Sequence, residues 1–145
     1  MFAIYGNSLN EVGINIGKWY SEKVNKQLYG PFSAIGFLDD IGEIKAVAIF
    51  DSYNGSNVNI HIYAPQSITR ANIRIVLDYV FNDLKCIRLS AYIPRQNRKL
   101  LKILPRLQFV YETILKGYFG KNKENDAVVY KMTNEQASKW IKING

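Results

Sequence analysis

The only histidine of the chain, His61, lies in a stretch that alternates from Asn57 to Tyr63. Apolar Val58, Ile60 and Ile62 interleave with Asn59, His61 and Tyr63. That period of two is a strand signature, and it places Asn59 and Tyr63 on the same face as the imidazole. An imidazole with a pKa near about 6.5 accepts a proton at neutral pH, directly or through water. The other reading is a half-buried strand histidine holding a structural hydrogen bond. Just beyond, Pro65 ends the alternation, and Gln66, Ser67, Ile68, Thr69, Arg70 and Ala71 lead into a helical pattern. A loop that leaves a strand and opens a helix points backbone N–H groups outward, where they hold an anion. Arg70, with Arg74 one turn on, adds positive charge, so a phosphate fits. An ordinary capped helix fits the same residues.

The elements that must position these groups can be read from the same stretch. Apolar residues at Ile73, Val76, Leu77, Val80, Phe81 and Leu84 recur at helical steps. Ile87 to Ile93 alternates again. A strand, a crossover helix and a strand place the two strands side by side and parallel. Asn97 to Leu104 is a short basic helix stopped near Pro105, with Asn97 suited to its N-cap. Before this core, Phe32 to Leu38 and Glu43 to Phe50 read as strands joined by a turn at Asp39–Gly42. A second turn, Asp51 to Asn57, leads into the His61 strand, making an antiparallel meander. Asp51 and Glu43 read as turn and surface charges. After the core, Leu107 to Leu115 and Asp126 to Met132 read as strands around a polar loop, and Asn134 to Lys142 as a closing helix. Met1 to Tyr5 reads as an edge strand or docking arm. Ser8 to Val24 has helical spacing, with Ser8 and Glu11 set as a capping box. Gly13 and Gly17 each weaken that helix by about 1 kcal/mol relative to Ala, so a split or bend is expected there.

Composition narrows the class. The 145 residues suit one domain spanning 1–145, with 48% hydrophobic and 21% charged residues as in a globular protein. No apolar run approaches the about 18 residues of a membrane span, and the first residues lack the pattern of a signal peptide. The single cysteine, Cys86, excludes an internal disulfide and points to a reducing, cytoplasmic setting. The formal net charge of +7 admits nucleic acid, an acidic protein partner or a polyanionic cofactor. Arg95, Arg98, Lys99, Lys102 and Arg106 cluster, yet no zinc spacing, RNA-binding consensus or helix-turn-helix signal accompanies them.

The ordered motifs over roughly residues 32–132 resemble the core of the GNAT superfamily of acyl-CoA N-acyltransferases. They are nearest the branch that acetylates ribosomal proteins and its phage-encoded relatives. The signature Gln/Arg-x-x-Gly-x-Gly/Ala falls on Gln66 to Ala71, matching at Gln66 and Ala71, with Thr69 at the central Gly. Asn-x-x-Ala, Leu-Gly-Phe and Glu-Gly fall on Asn97, Leu107–Phe109 and Glu112, with Gln108 at the Gly. Asp126 to Met132 resembles the closing strand.

The resemblance implies an α/β fold: a mixed, mostly antiparallel sheet of six to seven strands flanked by helices, with splayed central strands. It implies acetyl-CoA as cosubstrate. Gln66, Ser67, Ile68, Thr69, Arg70 and Ala71 would hold pyrophosphate, and Arg98 or Lys99 further phosphate. Ile62, Tyr63 and Asn97 would meet the pantetheine arm. His61 becomes the base and Tyr111 the acid, because the position where many members carry an acid tyrosine is Leu104; Tyr118 and Tyr130 are further tyrosines near enough to substitute. The acceptor would be a primary amine: a small molecule, a lysine or a protein N-terminus. No membrane is expected, and the protein would be a monomer or homodimer. The competing expectation is a catalytically degenerate member that binds a host protein or nucleic acid.

Overall fold

The alternating stretches form one seven-stranded sheet in a computed structural model that describes residues 2–66 and 68–144. The strands are β1 (Phe2–Asn7), β2 (Phe32–Leu38), β3 (Ile44–Asp51), β4 (Asn57–Tyr63), β5 (Arg88–Pro94), β6 (Val110–Leu115) and β7 (Ala127–Thr133). They stand in the order β1-β2-β3-β4-β5-β7-β6. The β4–β5 pair is parallel and the others are antiparallel. The expected mixed, mostly antiparallel sheet flanked by helices is what forms.

The helices α1 (Glu11–Val24), α2 (Arg70–Asp78), α3 (Arg98–Arg106) and α4 (Asn134–Ala137) cover it. The alternation of each strand sends its apolar residues to two separate cores. One gathers Ile73, Leu77, Val80, Leu89, Leu104 and Met132 beneath α2, α3 and α4. The other sets Ile16 and Tyr20 of α1 against Ala34, Val47 and Ile49.

The seam between β4 and β5 positions the site. Asn57 pairs with Arg88, and pairing continues to Ile60 with Ala91, where it stops. Both strands run on, each still bonded to its outer neighbour: Tyr63 pairs with Val47 of β3, and Pro94 with Ala127 of β7. The inner edges from His61 and Tyr92 onward therefore face each other across a gap, with backbone groups that the sheet does not satisfy. This is the expected splay.

Several local expectations are corrected. The cap of α1 is Asn10, whose Oδ1 accepts from the Gly13 amide at 2.8 Å; Ser8 Oγ instead accepts from Phe32 N at 3.2 Å. The helix is unbroken through both glycines because they are contact points. A Cβ on Gly13 would lie 2.0 Å from the Asn7 carbonyl oxygen, and one on Gly17 would lie 2.7 Å from the Phe32 ring. The last helix ends at Ala137, not near 142. Pro105 falls within α3, one residue before its end. β6 starts at Val110 because Leu107 and Phe109 turn into the core around Gln108, which takes φ +77.

Candidate active site

Where β4 and β5 part, a cleft of about 610 Å³ opens, lined by Tyr20, Asp51, His61, Tyr63, Tyr92 and Asn97 among others. His61 Nε2 lies 2.9 Å from Asp51 Oδ2, with both side chains half-buried. A neutral imidazole donates its Nε2–H to that carboxylate, which leaves the lone pair on Nδ1. A carboxylate behind an imidazole fixes its tautomer and stabilises the imidazolium that forms when the ring takes a proton. The Tyr20 ring stands 6.4 Å from the imidazole. Burial, followed by the charge of Asp51, pushes the Tyr20 hydroxyl up to about 12. It therefore stays a hydrogen-bond donor at any ordinary pH.

Asp51 is not a turn charge. It is the last residue of β3, in register with Asn59, while Ile49 pairs with His61. That register makes Asp51 and His61 diagonal neighbours on one face of the sheet, within reach of each other. The hairpin length between 51 and 57 was the available signal, but it fixes the pair only once the register is known.

The other expected residues are distributed along and around this gap. Ile62, Tyr63 and Asn97 line the cleft, and they also line a second cavity of about 130 Å³ that continues it toward Ile68, Lys99 and Leu100. Asn97 caps α3, its Oδ1 accepting from Leu100 N at 3.2 Å. Lys99 Nζ donates to the Pro65 carbonyl at 2.7 Å, which ties α3 to the loop before α2. Thr69 caps α2 through Oγ1, 3.0 Å from Asn72 N, at φ −81. That is ordinary extended backbone, so the position does not require glycine's freedom. The first-turn amides of Arg70 and Ala71 have no carbonyl four residues back to bond within the helix.

Arg70 and Arg98 point to other partners. The Arg70 guanidinium sits 6.0 Å from the Trp140 ring, and Arg98 Nη2 is 3.4 Å from Glu124. Gln66 lies on the α1 side beside Trp19, Lys23 and Glu43. Ser67 is outside the described residues.

Tyr111 is not brought to this cleft. It pairs with Tyr130, and Tyr130 with Ala91, whose side chain lies in the core beneath α2 and α3. Paired residues share a face, so Tyr111 is on the opposite side of the sheet from His61. There it packs edge-on against Tyr130 at 6.1 Å and is 53% exposed. Leu104 is fully buried. The tyrosine that does line the cleft is Tyr92, which the sequence reading passed over; Tyr118 packs against it at 5.2 Å. Glu112 is gripped by Arg88 through two hydrogen bonds and by Lys131 at 3.7 Å. The Arg88 hydrogen bond, with help from both cations, holds its carboxyl below the usual range.

The arrangement can bring two reactants together through the sheet. A nucleophile arriving on the α1 side meets His61 and Asp51, and an extended ligand from the α3 side reaches the same point through the gap.

No protein-family model matches the sequence, and no curated protein matches it either. Solved structures do match. A pair of mutant forms of the spermidine/spermine N-acetyltransferase SpeG from Vibrio cholerae is 14% identical. The alignment covers 89% of this chain and 81% of theirs, at a TM-score of 0.65. The dodecameric spermidine N-acetyltransferase from Vibrio cholerae in an intermediate state is 16% identical over 85% of this chain and 75% of its own, at 0.63. A chimera of the Vibrio cholerae enzyme and hSSAT is 19% identical over 77% and 71%, at 0.63. The parted β4–β5 seam, the sheet order and these likenesses identify the architecture as the GNAT-type fold.

Proposed function

We propose that the protein is an N-acyltransferase that moves an acetyl group from acetyl-CoA to a primary amine. The observation that carries this reading is the gap after Ile60 and Ala91, with the His61–Asp51 pair at its mouth. A pantetheine arm carries amides that match the free strand edges of the gap, and the Asn97 side-chain amide lies beside it. The first-turn amides of α2, with Arg70 and Lys99 nearby, suit the pyrophosphate and further phosphate. The solved neighbours are spermidine N-acetyltransferases, which supports an amine acceptor. The sequence resemblance to the ribosomal-protein branch supports the same chemistry.

In this reading the amine reaches the cleft from the α1 side and attacks the thioester carbonyl carbon. His61 Nδ1 takes the proton that the nitrogen sheds, and Asp51 stabilises the resulting imidazolium. The tetrahedral adduct collapses to an amide and expels the CoA thiolate, which then takes up a proton. A thiol with a pKa near about 8.5 leaves with little assistance, so Leu104 in place of an acid tyrosine does not stop the reaction. Base assistance matters more. A lysine-type amine is only about 0.04% neutral at pH 7, and an α-amine about 14%.

Calorimetric titration with acetyl-CoA and with desulfo-CoA tests the reading. Micromolar binding of both is expected. A folded sample that binds neither at about a millimolar removes it.

A second reading is a GNAT-fold protein without activity that binds nucleic acid or a host protein. It is favoured by the basic side chains of α3, Arg98, Lys99, Lys102 and Arg106, together with the net charge of +7. A salt-sensitive nucleic-acid shift in the absence of CoA binding would select it. Among the described residues no helix is long and apolar enough to cross a membrane.

A further inference from the structure

The α1-side mouth of the cleft is walled by rings. Tyr20 stands against His61 at 6.4 Å, and Tyr63 borders it with Trp19 packed edge-on at 5.7 Å. On the far wall Tyr92 packs on Tyr118 at 5.2 Å, and Tyr118 meets Phe119 edge-on at 4.9 Å. Tyr92 and Phe119 both line the cleft. Charge is sparse by contrast. Apart from His61, the ionic residues among the described residues of the lining are one carboxylate, Asp51, and one ammonium, Lys26. Lys26 Nζ lies 4.9 Å from the centre of the Phe119 ring, showing that this wall accepts a cation on its face.

A polyamine would bring a second and a third ammonium group into this mouth. Each loses hydration and needs an anion in exchange. Asp51 is already engaged by His61. Glu112 is held by Arg88 and Lys131, and Glu124 faces Arg98. The net charge of +7 adds a general repulsion of polycations. An amine with one charge on an aromatic or apolar body meets the charge repulsion once and leaves no second ammonium to desolvate. Its ammonium crosses ring faces to reach His61, and its body stacks on the wall of Tyr92 and Phe119.

We infer that the acceptor is a singly charged primary amine carried on an aromatic or apolar body, and not a polyamine. The inference rests on the acetyl-transfer reading above and narrows its substrate. The test measures thiol release from acetyl-CoA with 2-phenylethylamine, a tripeptide with N-terminal phenylalanine, n-butylamine and spermidine, beside calorimetric titration with acetyl-CoA alone. One or both aromatic amines are expected to exceed spermidine in kcat/KM by about tenfold or more. Preference for the tripeptide would place the amine on a polypeptide; preference for 2-phenylethylamine would place it on a small molecule. Phe119→Ala, at a side chain that is 37% exposed, is expected to lower the ratio of aromatic amine to n-butylamine about fivefold. Spermidine turning over as well as the aromatic amines overturns the inference and leaves acetyl transfer standing. Acetyl-CoA binding with none of these amines acetylated also overturns the inference, leaving only the cosubstrate cleft standing. Absence of acetyl-CoA binding instead overturns the transfer reading beneath it.

Discussion

Behind the sheet, α2, α3 and α4 close over Leu77, Leu89, Leu104 and Met132 until none keeps any exposed surface. In front, α1 packs against β1 to β4 and, among the described residues, leaves β5, β7 and β6 without a helix. There the sheet carries a line of polar side chains. Ser90 Oγ donates to Asn57 Oδ1 at 2.6 Å, Arg88 Nε donates to Ser90 Oγ at 3.2 Å, and Arg88 pairs with Glu112. The back derives its stability from apolar area removed from water. The front satisfies its polar groups one by one through hydrogen bonds and ion pairs. The candidate site lies where β4 and β5 part, between the two faces.

The contrast can be broken most sharply at the front. His61→Ala should lower kcat by roughly 10²–10⁴-fold while acetyl-CoA affinity stays within about twofold, because the ring acts on the amine and not on the cosubstrate. Turnover within about threefold of the parent would reduce the histidine to a structural role. Asp51→Asn should cost less, and should move the acid limb of the pH–rate profile if the carboxylate acts through the imidazole.

At the back, Leu104→Tyr should not supply an acid. The new ring must enter a filled core, so denaturant unfolding should show about 1–3 kcal/mol of lost stability and no gain in rate. Gly13→Ala should cost a similar amount at the front, since its Cβ would collide with the Asn7 backbone rather than with a movable side chain. A neutral result at either position would mean that the local packing is looser than these contacts imply.

Smaller effects test the rim and the edges of the contrast. Arg70→Glu should weaken CoA binding by roughly three- to tenfold without unfolding the protein, the scale of a helix-end charge reversal. Equal affinities by calorimetry would confine Arg70 to its place on Trp140. Cys86 lies in the back core, where burial pushes its thiol up to about 11 from 9.0. The folded chain thus keeps a proton that the unfolded chain releases above pH 9.0. Its contribution to stability is complete below that value and is lost as pH rises toward about 11. The fall of Tm between those limits should be shallower in Cys86→Ala; parallel slopes would show no contribution from the thiol. Gln108→Gly should be the mildest change, near neutral or stabilising by under about 1 kcal/mol, because it relieves φ +77.

Much of the fold was legible because period-two and period-3.6 patterns are local. They set β2 to β5 and the capping of α3 by Asn97 within a residue or two, whereas the helical pattern read from 68 to 84 forms α2 only over Arg70–Asp78 and winds on as a π-helical turn over Tyr79–Asp83. What escaped depended on relations between elements. Asp51 looked like a turn residue until the β3–β4 register laid it diagonally across from His61. Tyr111 looked near enough to serve as an acid, yet its face is decided through two strand pairings and a bulge between Tyr111 and Thr113. The glycines of α1 read as weak points because the sequence does not show that Asn7 and Phe32 press against them. Alternation tells which residues share a side within one strand; only pairing tells which sides coincide.

The four residue pairs from Asn57–Arg88 to Ile60–Ala91 are, among the described residues, the whole of the strand pairing between β1–β4 and β5–β7, and the Ile87 and Arg88 amides add bonds to the Ser56 carbonyl at its start. All the other strand pairs are antiparallel and hold five to seven residue pairs each, so this parallel join of four is the shortest in the sheet. It is accordingly the place where the sheet should come apart first. A ligand lying in the gap would extend the join by bonding to both halves at once, as a missing length of strand. If acetyl-CoA is that ligand, as proposed, the amide protons flanking the gap would exchange more slowly in its presence.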